Sequence, residues 1–148
     1  MAETLGMLCD KLTIVKLKQY HSTDEARLQS LNQQCKQLQI EIDGYVADAI
    51  AGKIEPERLT FASNKVFKQQ GNEVQEIQGQ IGEVFSQLAD INCRLWHEQE
   101  KVYEFEAVPP NEKDVVVKQL ALLNLERNKC IDAINAQFAL LISKNVKN

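Results

Sequence analysis

Glycine and proline are scarce in this chain, 6 and 3 of its 148 residues. So few turn-formers allow few turns and few long loops. With 6% aromatics and 44% hydrophobic residues, the composition excludes collagen-like, disordered and small disulfide-rich classes. A cationic excess is also missing. Asp and Glu number 21 against 17 Lys and Arg, a net charge of −4, which argues against duplex DNA as a partner but leaves room for a local basic pocket. No apolar run approaches the roughly 18 residues that span a bilayer, so no membrane partner is expected. The opening MAETLGMLCDKL lacks the basic start and apolar stretch of a secretory signal, which points to a cytoplasmic protein. Cys9, Cys35, Cys93 and Cys130 lie far apart without a CxxC pair, as expected for reduced, partly buried thiols. His21 and His97 have no ligand partner at metal spacing, so neither a metal nor a cofactor is expected.

What is present is helical periodicity throughout, within one domain over residues 1–148. A first helix is expected from about Thr4, a candidate N-cap, to His21. Ser22-Thr23 suits a connection and a new cap. A second helix then covers about Asp24 to Ala51, with Leu28, Leu31, Cys35, Leu38 and Ile42 at intervals of three and four and Gly52 as its stop. Residues 53–71 read as an irregular or short-helix insertion, with Pro56 at a helix start and Gly71 as a break. The third helix is expected over about Asn72 to Glu106, carried by Val74, Ile77, Ile81, Val84, Phe85, Leu88, Leu95 and Val102. Gly79 and Gly82 inside it would mark a close helix approach. Pro109-Pro110 would end it. The last helix runs from about Glu112 to Ser143. The expected fold is thus all-α, an antiparallel bundle of about four helices with two long C-terminal ones. Each of those would reach roughly 45–50 Å at 1.5 Å per residue, more than so short a chain covers, so a homo-oligomer is expected.

Several polar residues fall on apolar faces. Lys11 and Lys18 lie between the stripe Leu5, Leu8, Leu12, Val15 and a second pair, Met7 and Ile14, with Asp10 at the flank. Snorkelling amines are one reading, inward cations awaiting an anion the other. In the last helix Leu120, Leu123, Ile131, Ile134, Phe138 and Leu141 share a face with Arg127 at its centre and Asn124 beside it. An inward guanidinium needs a partner, either a carboxylate such as Asp10 or Glu100, or a bound phosphate or carboxylate held bidentately. The third helix adds Asn92, Trp96 and Gln99 on one side. Trp96 serves as core packing or as a flat wall for a ring, and the amides can read polar edges. Together these residues outline a candidate ligand pocket of Asp10, Lys11, Lys18, Asn92, Trp96, Gln99, Asn124 and Arg127.

The same residues carry a resemblance. Leu5-Gly6 through Asp10-Lys11-Leu12-Thr13-Ile14, then Glu41-Ile42-Asp43, then Asn92, Leu95 and Trp96, then Asn124 and Arg127 followed by Ile134-Asn135, together resemble an uncharacterised family. Its members are small all-helical bacterial and phage proteins. The resemblance spans most of the chain. Gln99 and Tyr103 depart from it, standing where the family has Glu and often Arg. It implies an all-α fold and a recurring polar set of Asp10, Lys11, Trp96, Asn124 and Arg127. Some members lie near polysaccharide-synthesis genes and others in phage genomes.

Catalysis finds little support. There is no nucleophile elbow, phosphate-binding glycine loop, HExxH or paired Glu-x-x-His motif. Adjacent Asp10 and Lys11 would point about 100° apart on a helix, which is poor for an acid–base pair. Cations, amides and one indole suit a non-catalytic binding protein for a small anionic, nucleotide-like ligand. In that reading Lys11 and Arg127 hold the anion, Trp96 stacks on the ring and Asn92 or Asn124 reads an edge. The phage side of the family gives it a concrete form: a sponge sequestering a host nucleotide immune signal in the host cytoplasm. The alternative is a helical adaptor or assembly protein, for example in polysaccharide synthesis, whose polar core is structural.

Overall fold

A computed structural model describes residues 3–61 and 79–146. Of the described residues 87% are helical and none is in a strand, so the chain is an all-α helical bundle. Its elements are α1 (Leu5–His21), α2 (Glu25–Ile50), α3 (Ile81–Tyr103) and α4 (Pro110–Val146), with short 3-10 turns at Pro56–Thr60 and Phe105–Ala107. Thr4 caps α1 as expected, its hydroxyl accepting from the Met7 amide. The cap of α2 is Asp24, rather than Ser22 or Thr23, and accepts from the Ala26 amide at 3.1 Å. Beyond α2, Gly52 takes φ +75° while Lys53 N–H bonds Asp48 and Gly52 N–H bonds Ala49. That paired closure satisfies two terminal carbonyls and requires a residue free to turn left-handed.

The second half differs from expectation in three ways. The third helix starts at Ile81, because Gly79 adopts φ +117°, a conformation no helix passes through. The expected start at Asn72, with Val74, Ile77 and Gly71, lies outside the described residues. Among the described residues nothing lies within 4 Å of a Cβ built on Gly82, so it marks no close approach to any of them. Finally, α3 stops at Tyr103 before the two prolines, and Pro110 opens α4, where its missing N–H costs nothing. Of the two long helices on which self-association was expected, only α4, with 37 residues, has that length.

Gly6 meets Asn135 while Asp10 meets Arg127, so α1 and α4 run antiparallel. Helix α1 packs against all three others, α3 lies chiefly on α4, and the first part of α2 packs on α1. Two apolar clusters follow. The larger joins Leu5 and Cys9 to Val84, Leu88, Ile91 and Leu95 of α3 and to Leu123, Ile131, Ile134 and Phe138 of α4. The smaller is Leu8, Val15, Leu31, Cys35 and Leu38, between α1 and α2. Val102 and Leu141, expected on core faces, are exposed, and Ile142 takes the buried place one turn beyond Phe138.

Gly44, inside α2, also meets none of the described residues where a Cβ would stand. Gly44→Ala should therefore stabilise the fold by about 0.5–1 kcal/mol, through lost unfolded-state freedom alone. A denaturant midpoint that falls would show that the face is covered.

Candidate functional site

The structure gathers three of the eight expected site residues into one buried junction and disperses the other five. The gathering follows from helix register. Asp10 sits one turn beyond Gly6 on the face of α1 that meets α4, and its carboxylate is almost wholly buried. Arg127 reaches it from α4 with a forked grip, Nε donating to Oδ1 at 2.9 Å and Nη2 to Oδ2 at 2.5 Å. Asn92 of α3 closes the junction from the third side. Its amide donates to Asp10 Oδ1 at 2.9 Å and to Thr13 Oγ1 at 2.7 Å, and that hydroxyl donates to the Asp10 carbonyl at 2.8 Å. Both carboxylate oxygens are thus used, and one charge of each sign cancels. Such bidentate, charge-assisted bonds are the strong kind, and here they join α1, α3 and α4.

Two turns along α4 a neutral junction repeats the device. Asn135 Oδ1 accepts the Gly6 amide at 2.7 Å, and its Nδ2 donates to Thr4 Oγ1 at 2.9 Å. Asn135 therefore satisfies an orphan donor in the first turn of α1 and orients that helix's own cap. Thr13 and Asn135 were not among the expected site residues. A signal existed in the spacing, since Asn135 follows Arg127 by two helical turns and so shares its face.

The five remaining residues lie elsewhere. Lys11 is exposed and pairs with Glu3. Lys18 is half-buried beside Lys11 in a separate groove of about 380 Å³ between α1 and α2, lined also by Gln34, Gln37 and Glu41. Neither lysine points into the core. The wide apolar sector of α1 is split between two neighbours, α2 on one side and α3 with α4 on the other, and the lysines face away from the junction. Trp96 is half-buried, with one ring face taken by His21, centroids 4.8 Å apart and planes within 10°. That stacking occupies the wall expected for a ligand ring. Gln99 and Asn124 are exposed, on α3 and α4. The expected single pocket of eight residues is therefore a closed three-residue junction plus separate surface groups.

The fold also brings His21 and His97 to 6.5 Å, ring to ring, on the surface between α1 and α3. Among the cysteines, Cys93 is exposed while Cys9, Cys35 and Cys130 are buried. Burial, reinforced by Asp10 near the first and Glu126 near the second, pushes the Cys9 and Cys130 thiols up to about 11. A thiol held neutral in the fold stabilises it fully below its ordinary pKa of about 9 and loses that contribution as pH rises through the folded value. Tm should thus fall between about pH 9 and 11, and less so in a Cys9→Ala, Cys130→Ala variant. An identical alkaline decline in both proteins would overturn the assignment.

No protein-family model, curated protein or solved structure matches the chain.

Proposed function

We propose that this chain is a non-catalytic helical adaptor whose buried polar groups serve architecture and whose work is done at its surface. One observation carries the reading. The Arg127 guanidinium, the strongest candidate for holding an anion, is already neutralised by Asp10 through two hydrogen bonds, and Asn92 completes the same carboxylate's shell. Drawing Arg127 to a phosphate would strand a buried carboxylate, which costs several kcal/mol. The residues that were to accompany it, Lys11, Trp96, Gln99 and Asn124, do not converge on it. The resemblance to bacterial and phage helical proteins is compatible with an adaptor or assembly role, including one in polysaccharide synthesis.

A second reading keeps the small anionic, nucleotide-like ligand and its sequestration by a phage protein. Lys11 and Lys18 beside the amides of Gln34 and Gln37 favour it. The two readings separate in one experiment, thermal unfolding with millimolar nucleotides, nucleotide sugars and cyclic dinucleotides. Stabilisation grows as RT ln(1 + [L]/Kd), so a ligand at about 100 times its Kd adds roughly 2.7 kcal/mol. The adaptor reading expects an unchanged Tm across the panel. A rise of several degrees with any one compound, abolished by Lys18→Ala, would replace it with the sequestration reading.

A further inference from the structure

The geometry points to a docking groove between α1 and α3 for an acidic amphipathic helix of a partner protein. This rests on the adaptor reading and names its partner's chemistry. The groove is an open trough of about 780 Å³. Its floor is apolar: Leu12 and Leu17 from α1, Phe85 and Ala89 from α3, all half-buried and thus only partly covered among the described residues. On the α3 side, Phe85, Ala89, Cys93 and His97 recur every four residues and form one continuous ridge about three turns long. Helices α1 and α3 flank the trough side by side, and both meet the junction at Asp10 and Asn92 and stack His21 on Trp96. Two helices with a half-covered apolar trough between them accept a third helix, read through anchors at i, i+3, i+4 and i+7.

Charge selects which helix. The described lining residues include one cation, Lys16, two imidazoles, His21 and His97, and no carboxylate. That is a departure for a chain in which acidic groups outnumber basic ones, 21 to 17. Glu100, 4.0 Å from His97, stands outside the lining. The C-terminal end of α1 carries His21 at this trough, so an occupant running antiparallel to α1 would set its N-terminal turn beside His21 and Lys16. Acidic residues are favoured in the first turn of any helix, which matches the rim. Tyr20, exposed at the groove's edge, offers an aromatic anchor of the kind that interfaces concentrate.

The test uses the full chain and three synthetic peptides of about four helical turns, followed by fluorescence anisotropy. One has a Leu stripe at i, i+3, i+4 and i+7 with Glu flanks. The second carries Lys in place of Glu. The third is the acidic composition scrambled so that the leucines share no face. The acidic amphipathic peptide should bind at least tenfold tighter than either control and should slow alkylation of Cys93, the exposed thiol in the trough. Ala89→Arg, which fills the floor, and Leu17→Glu, which charges it, should each weaken binding tenfold or more with little change in Tm. Lys16→Glu should narrow the preference for the acidic peptide. Absent binding, equal binding of all three peptides, or binding indifferent to both floor variants would each overturn the proposal. So would light scattering in which Ala89→Arg turns a dimer into a monomer, since the occupant would then be a second copy. A flat nucleotide panel together with failed peptide binding defeats only the groove assignment, whereas a nucleotide-induced rise in Tm defeats the adaptor reading itself.

Discussion

Arg127→Ala should lower Tm by about 10 °C. The substitution leaves the Asp10 carboxylate buried with one donor, the Asn92 amide, in place of three. Breaking a buried pair from one side costs about 3–5 kcal/mol, and the lower end applies because the Arg127 side chain retains 30% exposure. For a chain of this size each kcal/mol is worth roughly 3–4 °C. The cost belongs to the stranded charge rather than to the pair itself, and a second variant separates the two. Asp10→Leu combined with Arg127→Met removes both charges and keeps the volume, so it should recover most of the loss or exceed the parent. Asp10→Ala alone should be at least as damaging as Arg127→Ala, because it also strips Asn92 of an acceptor. A double-mutant cycle of thermal unfolding would measure the coupling. An Arg127→Ala protein that melts within about 2 °C of the parent would mean that the pair holds nothing together, and the anion-binding role would return.

Gly6→Ala should be comparably severe, against the sign that helix propensity gives. In an open helix, Ala for Gly is worth about 1 kcal/mol of stabilisation. At Gly6 a Cβ would lie inside the van der Waals envelope of the Ile131 carbonyl oxygen and 2.9 Å from both Asn135 Oδ1 and Ile131 Cγ2. A backbone carbonyl in the middle of α4 cannot step aside without moving the helix. Separation of α1 from α4 would also lengthen the 2.7 Å bond from the Gly6 amide to Asn135 and loosen the Asp10–Arg127 fork a turn away. Overpacking of this kind costs about 3 kcal/mol, which exceeds the propensity gain. Urea unfolding of Gly6→Ala beside Gly44→Ala gives the contrast, since the two should shift the midpoint in opposite directions. Equal stabilisation by both would show that α1 and α4 do not approach as closely as described.

These two sites show how the polar core divides between what sequence reveals and what it hides. The sequence marks Asn92 and Arg127 as polar residues on apolar faces, with Asp10 at the flank of another, and all three prove to be in the junction. Asp10 also stands among the carboxylates to which an inward Arg127 could pair. The choice between a carboxylate and a ligand depended on whether Asp10 and Arg127 come within reach across a sequence separation of 117, which no local pattern encodes. Lys11 and Lys18 show the opposite failure. Apolar residues do flank their helix face, yet α1 has three neighbours and those residues divide among them, Leu5 and Met7 joining the cluster with α3 and α4 while Leu8, Leu12 and Val15 pack with α2. The gap between the stripes opens to solvent there. Trp96 reads as core packing or as a wall for a ring, but its partner, His21, comes from a helix end far away in the chain.

By itself the sequence determined the helical class, the extent of α1 and α2, the cap at Thr4, the stop at Gly52 and many of the apolar positions of the core, though not Val102 or Leu141. All of these follow from interactions within a few residues: backbone hydrogen bonding, capping, and the 3.6-residue period that sorts side chains into faces. Tertiary structure alone decided which faces meet. It placed Gly6 rather than Gly82 at the close helix contact, turned Gly79 out of the third helix, and closed Asp10 on Arg127. It also left Leu12, Leu17, Phe85 and Ala89 half covered, among the described residues, beside Lys16, His21 and His97. Periodicity assigns a residue to a direction around its own axis. What lies in that direction depends on how the axes pack, and that is settled by the summed burial of all the faces at once.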